Sequence, residues 1–145
     1  MLLKRLYHRL PEGQRQFFTF AVAGGVAFLV DTGILALLTR IFGFDPIGSR
    51  LISFMCGLTT TWLINRNLTF RNRGEQPVWL EYLRYFAVNG FGGLLNFGVY
   101  ALLVKKSLFI ARFPEVGVAV GVLVGLGFNF TGSKYLVYRR NASRH

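Results

Sequence analysis

The sequence predicts an all-α integral membrane protein whose four transmembrane helices form two parallel-oriented two-helix repeats. Three observations predict it. The first is composition: of 145 residues, 52% are hydrophobic and only 16% charged, with 15 Phe and 17 Gly. A soluble domain carries about 25% charged residues, and the 6 acids present here cannot cover a solvated surface of normal extent. The second is where the charges lie. They are kept out of four long apolar runs and gather at the run ends, as they do around membrane spans. The third is internal similarity. Residues 23–33 (AGGVAFLVDTG) align with residues 88–98 (VNGFGGLLNFG) at a shift of 65, and residues 65–71 (NRNLTFR) with 133–139 (SKYLVYR) at a shift of 68.

The elements follow in order. The basic start, MLLKRLYHR, puts Leu3, Leu6 and Leu10 on one helical face opposite Lys4, Arg5 and Arg9. It is expected either to lie along the membrane surface or to form a solvated basic tail. The apolar run after it is too long for a cleaved signal peptide, so a retained first span is expected over about 17–39. The second span is expected over 46–68, the third over 83–104 and the fourth over 116–137; about 20 residues cross a bilayer as helix. Helix is required because unpaired strand backbone cannot face hydrocarbon. A polar linker at 71–82, containing RNRGEQPVW, divides the chain into repeats over 17–72 and 83–140 within a single membrane domain.

Orientation follows from the basic residues. Twelve of them (Lys4 to Arg15, Arg66 to Arg84, Lys134 to Arg144) fall on one side and five (Arg40, Arg50, Lys105, Lys106, Arg112) on the other. The richer side, with both termini and the linker, is expected to be cytoplasmic. A net charge of +11 raises nucleic acid as a partner. Nucleic-acid binders place their charges in patches among polar residues, which this chain does not do, so no nucleic-acid partner is expected. Cys56 is the only cysteine, and the two His lie near the termini. No metal-ligand cluster, paired carboxylates or phosphate loop stands in the sequence, so neither catalytic residues, metal nor cofactor are expected.

Several polar residues inside the spans are candidates for function. Asp31 is the only acid within a span, about 21 Å along the helix from Phe17 and past the midplane. An ionisable group there marks a functional site by default. It could bond sugar hydroxyls, carry a proton or pair with a basic residue. Its repeat partner is Asn96. Asn89 and Asn96 share a helical face with Gly93 between them, either bonding another span or contacting a polar ligand. Along span two, Ser53, Gly57, Thr61 and Asn65 form a stripe spaced by four; their counterparts on span four are Gly121, Gly125, Asn129 and Ser133, with Gly117 extending the row. Small residues at this spacing let helix backbones approach closely, which assigns Gly117, Gly121, Gly125, Ser53 and Gly57 to packing. At the inner ends stand Arg66 and Arg71 on span two, and Lys134 and Arg139 on span four. Basic groups there either hold a lipid phosphate or anchor the span ends.

These residues also carry a resemblance. The run AVAGGVAFLVDTG ending at Gly33, then Arg50-Leu51-Ile52-Ser53-Phe54, then 62–71 (WLINRNLTFR), echoed by Asn129-Phe130 and 134–139 (KYLVYR), resembles the GtrA-like family of small bacterial membrane proteins over roughly residues 15–140. The chain departs from the family pattern at Thr61, where Asn is frequent, and at Ser133, which stands opposite Asn65. The resemblance implies a four-span protein of the bacterial inner membrane acting on a polyprenyl-phosphate-linked sugar. Such a protein moves the glycolipid from the cytoplasmic to the outer leaflet for envelope polysaccharide modification. Joined to the residue reading, it puts the lipid phosphate at Arg66, Lys134, Arg71 and Arg139. The sugar then follows a polar seam of Asp31, Asn89, Asn96, Thr61, Asn65 and Asn129. Two other classes remain open, an assembly subunit for a membrane glycosyltransferase and a small proton-coupled cation exporter. A homo-oligomer is expected in each case.

Overall fold

The computed structural model describes residues 10–71 and 73–138. The basic N-terminal stretch and Arg139 therefore lie outside the described residues. Among the described residues the structure is helical without strands, and it divides into two units, Met1–Asn72 and Arg73–His145.

The first unit is a helix pair. Helix α1, Glu12–Ala36, follows Pro11, whose fixed backbone precedes the first turn, and Glu12 places an acid where the helix dipole favours one. It runs on as a π-helical turn, Leu37–Ile41. Gly43, at φ 67°, then reverses the chain in a conformation that favours glycine. Asp45 caps the next helix: its carboxylate accepts the Gly48 N–H at 2.7 Å, its carbonyl accepts from Ser49, and Pro46 takes the first helical position. Helix α2, Pro46–Ile64, ends in a second π-helical turn, Asn65–Thr69. It packs along α1.

The second unit contains α3, Val78–Lys106, a short α4, Leu108–Arg112, and α5, Pro114–Gly132, which continues as a π-helical turn, Ser133–Val137. Helix α3 starts five residues before the expected edge of the third span. The apolar run begins at Leu83, but Pro77 already has the extended backbone of a helix start, so the linker is shorter than expected. Ser107 ends α3 in extended backbone and accepts the Ile110 N–H to start α4, which takes up the longer loop of this half.

Corresponding positions are buried in each unit. Phe20, Ala23 and Ala27 face α2, and Tyr85, Val88 and Gly92, each 65 residues later, face α5. On the facing helices Ser53, Gly57, Asn65 and Phe70 are buried, as are Gly121, Gly125, Ser133 and Tyr138, each 68 residues later. The glycines set the approach of the helices. A Cβ at Gly57 would lie 3.0 Å from the Asp31 Cβ and 3.1 Å from the Ala27 carbonyl oxygen; one at Gly125 would lie 3.1 Å from the Asn96 Cβ and 3.1 Å from the Gly92 carbonyl oxygen.

The π turns have a structural consequence. The two that end α2 and α5 each close with an i to i+5 bond of 2.8 Å, from Phe70 N–H to the Asn65 carbonyl and from Tyr138 N–H to the Ser133 carbonyl. The chain leaves the helix there, and the aromatic ring turns back into the pair. Phe70 meets Phe20 at 6.3 Å between ring centroids, and Tyr138 meets Tyr85 at 6.0 Å. Aromatic pairs of this kind contribute about 0.5–1.5 kcal/mol beyond burial. Tyr138→Leu, which keeps apolar bulk but loses the ring pair, should lower the stability of the second unit by about 1–2 kcal/mol, read from unfolding in detergent.

Large apolar side chains point outward on every long helix, among them Phe28, Leu29, Leu51, Leu94, Phe97 and Leu123. Among the described residues, three helical stretches are long and apolar enough to cross a membrane: Glu12–Ile41, Val78–Lys106 and Ala119–Val137. The chain is a multi-pass membrane protein. Helix α2 forms where the second span is expected.

Candidate functional site

In the first unit, one Arg50 guanidinium nitrogen reaches both carboxylate oxygens of Asp31, at 2.7 and 2.6 Å. The Asp31 side chain is 14% exposed and that of Arg50 55%. Of the roles open to Asp31, pairing with a basic residue is the one observed. The pairing follows from the close approach at Gly57, which brings α2 against α1 at Asp31 and leaves Arg50, seven residues earlier on α2, on the same face. Thr61 bonds back to the carbonyls of Gly57 and Leu58, so its hydroxyl proton stays within its own helix. Asn65, fully buried, accepts a bond of 2.8 Å from the Thr69 hydroxyl. Arg66 lies over the Trp62 ring at 5.4 Å.

A polar cleft of about 470 Å³ opens at the same end of this unit. Glu12, Arg15, Gln16 and Thr19 from α1 form one wall, and Thr69 and Arg71 from the end of α2 form the other. Its volume falls in the range of about 300–1,000 Å³ common to small-molecule sites. Of the basic residues singled out from the sequence, Arg71 lines it and Arg66 does not.

In the second unit, Asn96 lies against α5 between Gly121 and Gly125, and the Asn129 amide oxygen lies against Gly92 with no hydrogen-bond partner. Asn89 donates to the Tyr85 carbonyl within its own helix at 2.9 Å. Ser133 is fully buried and its hydroxyl has no hydrogen-bond partner. Lys134 lies 5.7 Å from the rings of both Phe130 and Tyr135. Cations over aromatic faces are attracted by the ring quadrupole. Trp62 and Phe130 hold the same place below Arg66 and Lys134 at the shift of 68.

Sequence reasoning passed over two acidic or basic groups that the fold engages. From the sequence, Arg50 is an outer-side charge and part of the family pattern, with no partner assigned to it. Glu81 was left in the linker, yet it is 1% exposed in the first turn of α3, with Arg73 Nε at 3.4 Å. Beside it the Gln76 amide donates to the Val137 carbonyl and accepts from Arg84 at 3.0 Å. The signal for Glu81 was present in the repeat, since the shift of 65 aligns it with Gln16 on the first helix.

Polar side chains thus occupy the mutual faces of each helix pair, while the outer faces are apolar. Among the described residues no cluster of His, Cys, Asp and Glu could hold a metal ion. A family model described as the GtrA/DPMS transmembrane domain matches residues 19–138.

Proposed function

Because this chain belongs to the GtrA/DPMS transmembrane-domain family, we propose that it translocates a polyprenyl-phosphate-linked monosaccharide across the bacterial inner membrane for envelope polysaccharide modification. In this reading the chain has four spans built as two parallel repeats, and α2 crosses with the other three helices. The termini and linker face the cytoplasm, where the basic residues concentrate. The lipid phosphate is met at that end by basic residues of either unit, Arg66 and Arg71 in the first and Lys134 in the second, each taken by itself. The sugar moves between helices that carry polar groups inward, and the polyprenyl tail remains in lipid beside the exposed Phe and Leu side chains.

The observation that carries this reading is the recurrence of one arrangement. A basic residue lies over an aromatic ring at the end of the stripe in each unit, Arg66 over Trp62 and Lys134 over Phe130, next to a buried polar residue, Asn65 or Ser133. A bare sugar and phosphate cannot enter hydrocarbon without polar partners, and in this reading these groups are those partners. The ion pair at Asp31 weighs against a cation exporter, since both carboxylate oxygens are already engaged by Arg50.

The test is leaflet exchange of a polyprenyl-phosphate sugar in proteoliposomes. Wild type should exchange the lipid above the rate of empty liposomes, and Arg66→Ala with Lys134→Ala should reduce the rate about tenfold or more while the protein remains folded. Folded wild type that gives no exchange overturns translocation and leaves an assembly subunit for a glycosyltransferase as the better reading.

A further inference from the structure

The cleft of the first unit has a chemistry of its own. Arg15 and Arg71 are its cations, each with a planar fork of donors suited to phosphoryl oxygens. Apart from the Gln16 amide nitrogen, the remaining polar walls are acceptors. Glu12 is a carboxylate that accepts from Gln16 at 3.2 Å. The hydroxyl of Thr19 gives its proton to the Arg15 carbonyl, and that of Thr69 to Asn65, so neither is a donor toward the cleft. Two guanidinium groups beside three oxygen acceptors suit a ligand with one anionic group and several hydroxyl donors, which describes a glycosyl phosphate.

The second unit treats the corresponding place differently. Shifts of 65 and 68 align Gln16 with Glu81, Thr19 with Arg84 and Thr69 with Val137. There the linker's own side chains engage these groups: Arg73 pairs with Glu81, and Gln76 bridges Arg84 and the Val137 carbonyl. Glu81 is the buried acceptor and Arg73 the cation it receives from its own chain. Arg15 and Gln16 also precede residue 19, where the family match begins.

We propose that the cleft between the first turns of α1 and the end of α2 binds the glycosyl-phosphate head of the substrate. Arg15 and Arg71 hold the phosphoryl group, and Glu12, Thr19 and Thr69 accept sugar hydroxyl protons. Among the described residues the second unit does not repeat the site, since the positions matching Glu12 and Arg15 are Pro77 and Leu80, and Glu81 and Arg84 are engaged by Arg73 and Gln76. This rests on the translocation reading only for the lipid anchor of the ligand; the head-group chemistry is argued from the cleft itself.

The full chain in phosphatidylcholine nanodiscs is titrated with polyprenyl-phosphate glucose, glucose 1-phosphate and inorganic phosphate, with binding read by native mass spectrometry. Arg15→Gln with Arg71→Gln should weaken the glycosyl phosphates about tenfold or more. Arg84→Gln in the second unit should leave affinity within about twofold. Glu12→Gln should weaken the glycosyl phosphates and leave or improve inorganic phosphate. If the double variant melts well below wild type without ligand, Arg15→Lys with Arg71→Lys replaces it; keeping charge without the fork, it should bind at an intermediate level. Undiminished binding of the lipid probe by the folded double variant overturns this site and leaves translocation standing. Binding of glucose 1-phosphate with the expected sensitivity, but not of the lipid form, supports the site and removes the lipid substrate. No binding of any probe by wild type overturns the site.

Discussion

Arg50→Val should destabilise the first helix pair by about 2–4 kcal/mol, and adding Asp31→Asn should restore most of that loss. The single change leaves a carboxylate, 14% exposed, against α2 with its cation gone. Breaking a buried pair by removing one partner costs about 3–5 kcal/mol, and the lower range applies here because Arg50 is the more exposed member. Asp31→Asn alone should cost only about 1 kcal/mol, since the long Arg50 side chain can carry its head to the membrane surface. The double change reproduces what the second unit already has, Asn96 with Val118 at the positions of Asp31 and Arg50. Unfolding of the four proteins in detergent gives the coupling directly. A double variant as unstable as Arg50→Val alone would mean that Arg50 acts through contacts other than Asp31.

Gly121→Leu should cost about 3 kcal/mol in the second unit. Even a Cβ at this position would lie 2.4 Å from the Asn96 amide oxygen and 2.7 Å from the Asn96 backbone oxygen. The side-chain atom can turn aside, but the carbonyl cannot, so α5 must move away from α3. With no water to expel, membrane helices hold together through close packing, and separation removes that contact along the whole face. Gly127→Leu on the same helix provides the control. Nothing lies within 4 Å of a Cβ there, and its stability should stay within about 0.5 kcal/mol of wild type. Equal losses at the two glycines would point to helix propensity or insertion rather than to helix approach.

Much of the architecture was legible because hydropathy and period are local properties. The small-residue stripes at Gly57 and Gly125 and the aligned pairs Asp31 with Asn96 and Asn65 with Ser133 could be read by counting residues. The π-helical turns could not, because a bond from residue i to i+5 leaves no mark on apolar periodicity. The early start of α3 is not legible because Glu81 ends an apolar count, whereas the fold buries that acid and gives it Arg73. The candidate site was legible in part. Arg71 was singled out, but Arg15, Gln16 and Thr19 carry no motif; they become neighbours of Arg71 only when α1 and α2 pack antiparallel.

The sequence by itself determined the class of the protein. A chain with few charges and long apolar runs can satisfy its backbone in lipid only as helices, and its family pattern lies in contiguous stretches around Asp31 and Asn65. The tertiary structure alone decided which polar groups meet. The offset of two helices sets those distances, and it depends on contacts such as Gly57 against Ala27 and Asp31 that no single segment contains. That offset brings Arg50 to Asp31 and opens the first cleft between Arg15 and Arg71.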